Sequence, residues 1–458
     1  MRWGRAAATE IERFETIHWD TADFRLAAWD AGLRYRRGRG WRVTLAGLPD
    51  GDVERRLYVD LDGDPGGPPP EAIRLLSGYL RDAVPQPAAR LRHLESRRRL
   101  GDLCCTHQVV SLLEQRRAVA HARRVTLRSR GAMDGTRRVL SALRRAGVAE
   151  TTNVPLLAEL VGPRAAPLWR DTVVDPGSSV SAALVAALRD DAAQLVRNQA
   201  LILEGSDPEG VHQARVACRR LRSTLQTFLP VLDPVWAETL RAELRSLAAD
   251  LGAVRDTEVL LMRLRASAAA HGLEGEAECL LTRLEGERSR ARDVLLARIE
   301  SAGHGDQLER ILRAAVEPKL QPDAGERAAV DVLMPLTAAT WRRLSRRAIQ
   351  LGPHPGDEEL HRLRISTKRC RYAVLALVPV LGEAPARTGA LLGALQDALG
   401  EQHDAVVAAQ WLRQAAQPET AFVAGVLYGA ERERAEAGRD AWRKPWRTLD
   451  QKKRWRWA

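Results

Sequence analysis

Two short segments of this chain set histidine and basic residues at one repeated spacing. The first carries His212, Arg215, Arg219 and Arg222, and the second carries His361, Arg364, Lys368 and Arg371. On a helix, steps of three, seven and ten residues turn by roughly 300°, 340° and 280°, so each set falls within about 80° and forms one stripe. Arg220 and Arg369 add a cation on a neighbouring face of each segment, while Val211, Leu221, Leu225, Leu360, Ile365 and Leu375 supply apolar contacts elsewhere. Like charges at this spacing repel by a few tenths of a kcal/mol per pair, so such a stripe calls for an anion. Guanidinium forks grip phosphate oxygens in pairs, lysine adds a point charge, and each charge-assisted hydrogen bond contributes roughly 1.5–3 kcal/mol. Neighbouring arginines disfavour the protonated form of each histidine and a bound polyanion favours it, so His212 and His361 are expected to titrate on binding. The alternative is that the cations pair with acids on facing helices, such as Asp256, Glu258, Asp397 and Asp404, and that each histidine orients a helix contact.

These segments belong to a longer duplication. His212 and His361 stand 149 residues apart, and Leu251-Gly252-Ala253-Val254-Arg255-Asp256 finds its counterpart at Leu399-Gly400-Glu401-Gln402-His403-Asp404, 148 residues on. Two landmarks in the same order indicate a doubled helical unit of roughly 140 residues, with room for about four helices in each copy. From residue 178 onward the Leu/Ala/Arg pattern has a period near 3.6, broken at Gly205–Gly210, Pro230–Pro234, Gly303–Gly305, Gly352–Gly356 and Leu381–Pro385. That part reads as all-α.

The earlier part reads differently. Leu33-Arg34-Tyr35-Arg36 and Trp41-Arg42-Val43-Thr44-Leu45 alternate around a Gly38-Arg39-Gly40 turn, as a half-buried hairpin does. Arg55–Leu61 and Arg124–Arg128 repeat the alternation, and helices are expected at Pro70–Ala83 and Gly135–Ala146. The N-terminal part is therefore α+β, and the Gly/Pro/Ser punctuation between residues 161 and 177 reads as a linker.

The 458 residues carry 71 Lys+Arg against 59 Asp+Glu, a net charge of +12, and are 45% hydrophobic, enough for real cores but with a bias toward polyanionic partners. No apolar run approaches the roughly 18 to 20 residues of a membrane helix; the best, around Ala373–Leu381, contains Pro379. No secretory leader is legible at the start, and the odd set Cys104, Cys105, Cys218, Cys279 and Cys370 supports neither a disulfide framework nor a zinc ribbon. A cytoplasmic location is expected. Cys104-Cys105-Thr106-His107 lacks a second ligand pair for a metal. No P-loop, dinucleotide glycine pattern or nucleophile signature stands out.

Taken together, the paired basic segments and their paired Leu-Gly companions resemble the conserved-histidine α-helical, or CHAD, domain over residues 178 to 445. The resemblance implies two pseudo-symmetric four-helix bundles around a basic groove that binds inorganic polyphosphate, often at polyphosphate granules. Carried onto this chain, its ligand-facing residues are His212, Arg215, Arg219, Arg220, Arg222, His361, Arg364, Lys368, Arg369 and Arg371. Lys368 stands where the first copy has Arg219, which keeps the charge and loses the fork.

His18–Leu26, Leu33–Arg37 and Trp41–Leu45 are similar to early strands of the CYTH family, the triphosphate tunnel metalloenzymes, so residues 1–160 are expected to form a partial, degenerate antiparallel tunnel barrel. Family chemistry uses alternating glutamates to hold Mg²⁺ or Mn²⁺. Here Glu10, Glu12 and Glu15 do not reproduce the Glu-x-Glu-x-Lys signature, Ala122–Arg128 carries no acid, and neither does Gln108–Leu112. Arg34, Arg36, Arg97 and Arg99 alternate as tunnel-lining cations would, or as solvent-facing arginines of a two-faced sheet.

The leading expectation is a non-catalytic polyphosphate binder without a cofactor, Mg²⁺ or Mn²⁺ entering only if the CYTH-like domain is active. A metal-dependent triphosphatase is the second reading. A nucleic-acid binder is the third, drawing on the basic groove and on the tail, residues 446–458, whose Trp446, Trp455 and Trp457 alternate with cations. A frayed terminus with one or two tryptophans on the last helix is the alternative for that tail.

Overall fold

The computed structural model describes residues 9–45, 48–50, 53–55, 57–100, 103–129, 134–148, 156–165, 173–451 and 455. The chain divides into two compact units, Met1–Arg170 and Asp171–Ala458.

The first unit is built on a seven-stranded sheet in the order β6-β3-β2-β1-β7-β8-β9. Its strands are β1 (Glu10–Asp20), β2 (Gly32–Arg36), β3 (Gly40–Thr44), β6 (Tyr58–Leu61), β7 (Gln86–Leu100), β8 (Leu103–Glu114) and β9 (Arg117–Ser129), with β4 (Leu48–Asp50) and β5 (Val53–Arg55) pairing separately. Every ladder is antiparallel. The expected hairpin forms with Leu33 opposite Val43 and Tyr35 opposite Trp41. Gly40 at its turn has φ +71°, and a Cβ there would lie 2.6 Å from the Leu61 carbonyl oxygen, so only glycine fits.

Alternation places Leu33, Trp41 and Val43 in the core with Ala72, Leu75, Leu76 and Tyr79 of α2 (Pro70–Leu80). On the opposite face Leu91, Val110, Leu112 and Ala122 join Phe24, Ala27 of α1 (Arg25–Ala28), and Leu157, Leu160 and Val161 of α4 (Leu156–Val161). A further helix, α3, spans Asp134–Arg145. The antiparallel sheet is compatible with the tunnel fold expected from the sequence. Among the described residues β6 and β9 are its outer strands.

The second unit is helical: α5 (Val180–Glu204), α6 (Glu209–Thr227), α7 (Pro234–Ala270), α8 (Glu274–Ile299), α9 (His304–Ala314), α10 (Ala329–Ile349), α11 (Asp357–Leu375), α12 (Val378–Leu381), α13 (Glu383–Ala415), α14 (Ala421–Ala437) and α15 (Arg443–Leu449). The duplication is visible in these bounds, because α5 to α8 match α10, α11, α13 and α14 in order. Start signals are chemical: the Ser179 hydroxyl accepts from the Ala182 amide at 3.2 Å, and Asp233 accepts from the Trp236 amide at 2.7 Å ahead of Pro234. Gly205, at φ +85°, ends α5.

Leucines and alanines of α7, α8, α13 and α14 close one core shared by both copies, and α10, α11, α13 and α15 close another. Trp442 and Trp446 are buried in the second core, and Trp341 stacks on Trp446 at 5.5 Å and on Trp455 at 4.0 Å. The tail tryptophans that the sequence offered for stacking on bases are thus spent on packing at Trp446 and Trp455; Trp457 lies outside the described residues.

Candidate anion site

Helices α6 and α11, which carry the two basic stripes, pack against each other. Val211, Ala214, Ala217, Cys218 and Leu221 bury one side of α6, and Leu360, Leu363, Cys370 and Val374 one side of α11. The stripes are left partly exposed, and they face each other across the junction. Arg219 donates to the Tyr372 hydroxyl of the other copy at 3.2 Å. Lys368 feels Arg364 of its own helix and Arg219 and Arg215 of the opposite one, and burial first, then these charges, depress it to about 7. Arg364 is likewise held below its ordinary value by burial and by Arg219 and Arg215.

Carboxylates temper this field without cancelling it. Asp256 of α7 takes both fork nitrogens of Arg215, at 2.5 and 3.3 Å, and Asp404 of α13 sits 3.8 Å from Arg364. Both arginines lie over glycines of the repeated Leu-Gly landmark. A Cβ on Gly252 would stand 3.6 Å from Arg215, and one on Gly400 would stand 3.9 Å from Arg364. Glycine there lets the guanidinium lie close to the helix backbone, and Arg215 also donates to the Gly252 carbonyl at 3.3 Å. The pairing with Asp256 and Asp404 weighed in the sequence therefore exists, yet it is partial. Asp397 is exposed, and Glu258 holds Arg255 at 3.2 Å.

The histidines sit at the edge of this cluster. Burial and then Arg255 lower His212; burial, Arg364 and Lys368 lower His361. His361 meets His403 at 4.5 Å between ring centroids, and burial with Arg364 pushes His403 down to about 4. In all three, burial and the neighbouring cations favour the neutral ring.

The remaining sequence candidates divide. Arg220 turns away to Asp191 of α5 at 3.4 Å, where burial raises the carboxyl to about 7. Arg371 donates to Gln396 at 3.3 Å. Arg222 and Arg369 face a different set of arginines: Arg245 and Arg241 depress Arg222 after burial, and Arg343, Arg241 and Arg347 depress Arg369. The structure brings together Arg215, Arg219, Arg364 and Lys368 with His361, and leaves Arg220 outside.

Residues 186–413 match the family model described as CHAD domain. This stretch is a CHAD domain. Two uncharacterized proteins, from Mycobacterium tuberculosis strains CDC 1551 / Oshkosh and ATCC 25618 / H37Rv, are each 28% identical to the chain over 494 residues, covering 97% of it and 91% of their own length. Among solved structures, PptA from Streptomyces chartreusis aligns at 29% identity with a TM-score of 0.50, covering 59% of this chain and 100% of that one. The CHAD domain from the plant Ricinus communis aligns at 26% identity with a TM-score of 0.49, covering 60% and 95%.

Sequence reasoning missed several residues of the CHAD domain's basic surface. Tyr372, Arg255 and His403 adjoin the stripes through space. Arg255 and His403 occupy one position of the doubled Leu-Gly landmark, a signal that was legible. Arg241, Arg245, Arg343 and Arg347 belong to no repeated motif.

In the N-terminal unit the tunnel cations fare unequally. Arg36 pairs with Glu12 and lies 3.7 Å over the Phe14 ring. Arg97 holds the buried Glu95 at 2.8 Å, while Arg99 is exposed. Arg34 is depressed by burial and by Arg42. Gln108 also donates to Glu95, at 2.5 Å, and Thr16 bridges His93 at 2.8 Å and His18 at 3.1 Å. Burial and Arg34 push His18 to about 3 and His93 to about 4. Glu12 and Glu95 are committed to arginine and amide, and among the described residues no group of three or more His, Cys, Asp or Glu could hold a metal. This donor set does not fit Mg²⁺ or Mn²⁺, which take several oxygen ligands. Nor is any described helix long and apolar enough to cross a membrane.

Proposed function

We propose that the CHAD domain binds inorganic polyphosphate and retains it without cleaving it. The observation that carries this reading is the junction of α6 and α11, where Arg215, Arg219, Arg364 and Lys368 converge from both copies and where, among the described residues, carboxylates form ion pairs with Arg215 and Arg364. Convergence of this kind is unfavourable alone and favourable around a chain of phosphates, each of which offers oxygens to a guanidinium fork. PptA and the Ricinus communis CHAD domain are similar folds rather than assignments of ligand. The committed carboxylates of the N-terminal sheet support retention over hydrolysis. A place at polyphosphate granules follows from the same reading.

The test is a variant with Arg215, Arg219, Arg364 and Lys368 all replaced by alanine, titrated with long-chain polyphosphate. With four charge-assisted contacts gone, affinity should fall by at least about 100-fold while helix content is retained. Unchanged affinity in a folded variant would place the polymer elsewhere.

A further inference from the structure

We infer that Arg222, Arg241, Arg245, Arg343, Arg347 and Arg369 form a second anion station beside the first, and that long phosphate chains engage both. This rests on the polyphosphate reading and extends it to the chain lengths the protein prefers.

The residues come from α6, α7, α10 and α11, and α6 contacts each of the other three helices. Arg241 is the link between copies, since it acts on Arg222 of the first and on Arg369 of the second. Glu238 holds Arg241 and lies 3.7 Å from Arg245; it is the carboxylate that the described residues pair with this cluster. Arg347 is braced by the Arg362 carbonyl at 3.1 Å and the Ser366 hydroxyl at 2.5 Å. Among the described residues, the buried Nε atoms of Arg222 and Arg241 find no acceptor.

This chemistry differs from that of the first station. There, a lysine and histidines share the surface with Asp256 and Asp404; here every cation is a guanidinium, permanently charged and forked, with Glu238 as its carboxylate among the described residues. Fixed forks suit tetrahedral oxyanions. The two stations adjoin: Arg219 and Arg222 are one turn apart on α6, and Lys368 and Arg369 are consecutive on α11. A chain held at the first can therefore continue onto the second, whose contacts then form at high effective concentration. With three phosphates, tripolyphosphate reaches fewer of the forks than a long chain does, so its affinity depends less on the second station.

Arg245 and Arg343 are exposed, so replacing them leaves the cores intact. The experiment compares the wild type with R245Q/R343Q in titrations with long-chain polyphosphate and with tripolyphosphate at about 0.15 M salt, alongside thermal melts. Long-chain affinity is expected to fall by about tenfold and tripolyphosphate affinity to stay within about twofold, since the longer ligand draws more of its contacts from the second station. R245K/R343K, which keeps the charge and loses the fork, should restore part of the loss. Long-chain affinity unchanged by R245Q/R343Q, or an equal loss for both ligands, overturns the second station while leaving the first intact. A wild type that binds neither ligand overturns the polyphosphate reading itself.

Discussion

Lys368 is the residue on which the chemistry of the site turns. Its ammonium is held at about 7 by burial and by the arginines of both copies. A bound polyanion favours the charged form, raising the value toward the ordinary lysine range. Affinity gained this way is complete below about 7 and lost as pH rises through the range between the free and bound values. Polyphosphate affinity should accordingly weaken from pH 6.5 to pH 9, and K368R, always charged, should flatten that decline; a titration series at constant salt reads it. Stability without ligand moves the opposite way, because the unfolded lysine keeps its proton across that window and the folded one does not, so this group's contribution rises with pH. Asp256 gives a second prediction. Its carboxylate is 68% exposed while Arg215 is 20% exposed, so the pair contributes about 1 kcal/mol or less to folding but neutralises a fork of the proposed site. D256N should tighten polyphosphate binding and shift the melt only slightly, and weaker binding would mean that Asp256 orients the fork instead.

The helices were legible because their periodicity and their stops are local. Pro70–Leu80 and Asp134–Arg145 lie within a few residues of the expected helices, and most interruptions expected after residue 178 separate real elements. The break between α7 and α8 at Gly272 was missed, since α7 runs for 37 residues through polar positions that weaken the pattern. What joins the copies was also illegible, being a matter of pairs far apart in sequence. Glu431 of α14, fully buried, accepts from Arg263 of α7 at 2.6 Å and from Arg434 at 2.6 Å. E431A strands a buried guanidinium and should cost about 3–5 kcal/mol by denaturant unfolding; a loss below about 1 kcal/mol would show that Glu401, 2.8 Å from Arg263, suffices alone. Gly210 sets the approach of α6 to α5, since a Cβ there would lie 2.8 Å from Leu201 Cβ and 3.3 Å from the Ile202 amide nitrogen. G210A gains about 1 kcal/mol of helix propensity and loses more to overpacking, for a net destabilisation of about 1–2 kcal/mol in the same assay.

Across the whole molecule, duplication made the site readable and asymmetry made it incomplete. The repeated histidine and arginine spacing located α6 and α11 and their shared surface. It included Arg220, which the fold sends to Asp191, and passed over Arg241, Arg245, Arg343 and Arg347, which only packing of α7 and α10 against that surface brings near. Of the two readings of the tail, packing of one or two tryptophans on the last helix is the one seen, because Trp446 and Trp455 serve the core of the second copy. A chain with net charge +12 attracts any polyanion, so selectivity rather than affinity separates a polyphosphate site from a basic surface. The most direct measurement is binding of the purified chain to long-chain polyphosphate at near-physiological salt, with RNA as competitor at equal phosphate concentration and with divalent metal present or absent. Tight, metal-independent binding that RNA does not displace is the predicted result; binding that RNA removes at parity would contradict it.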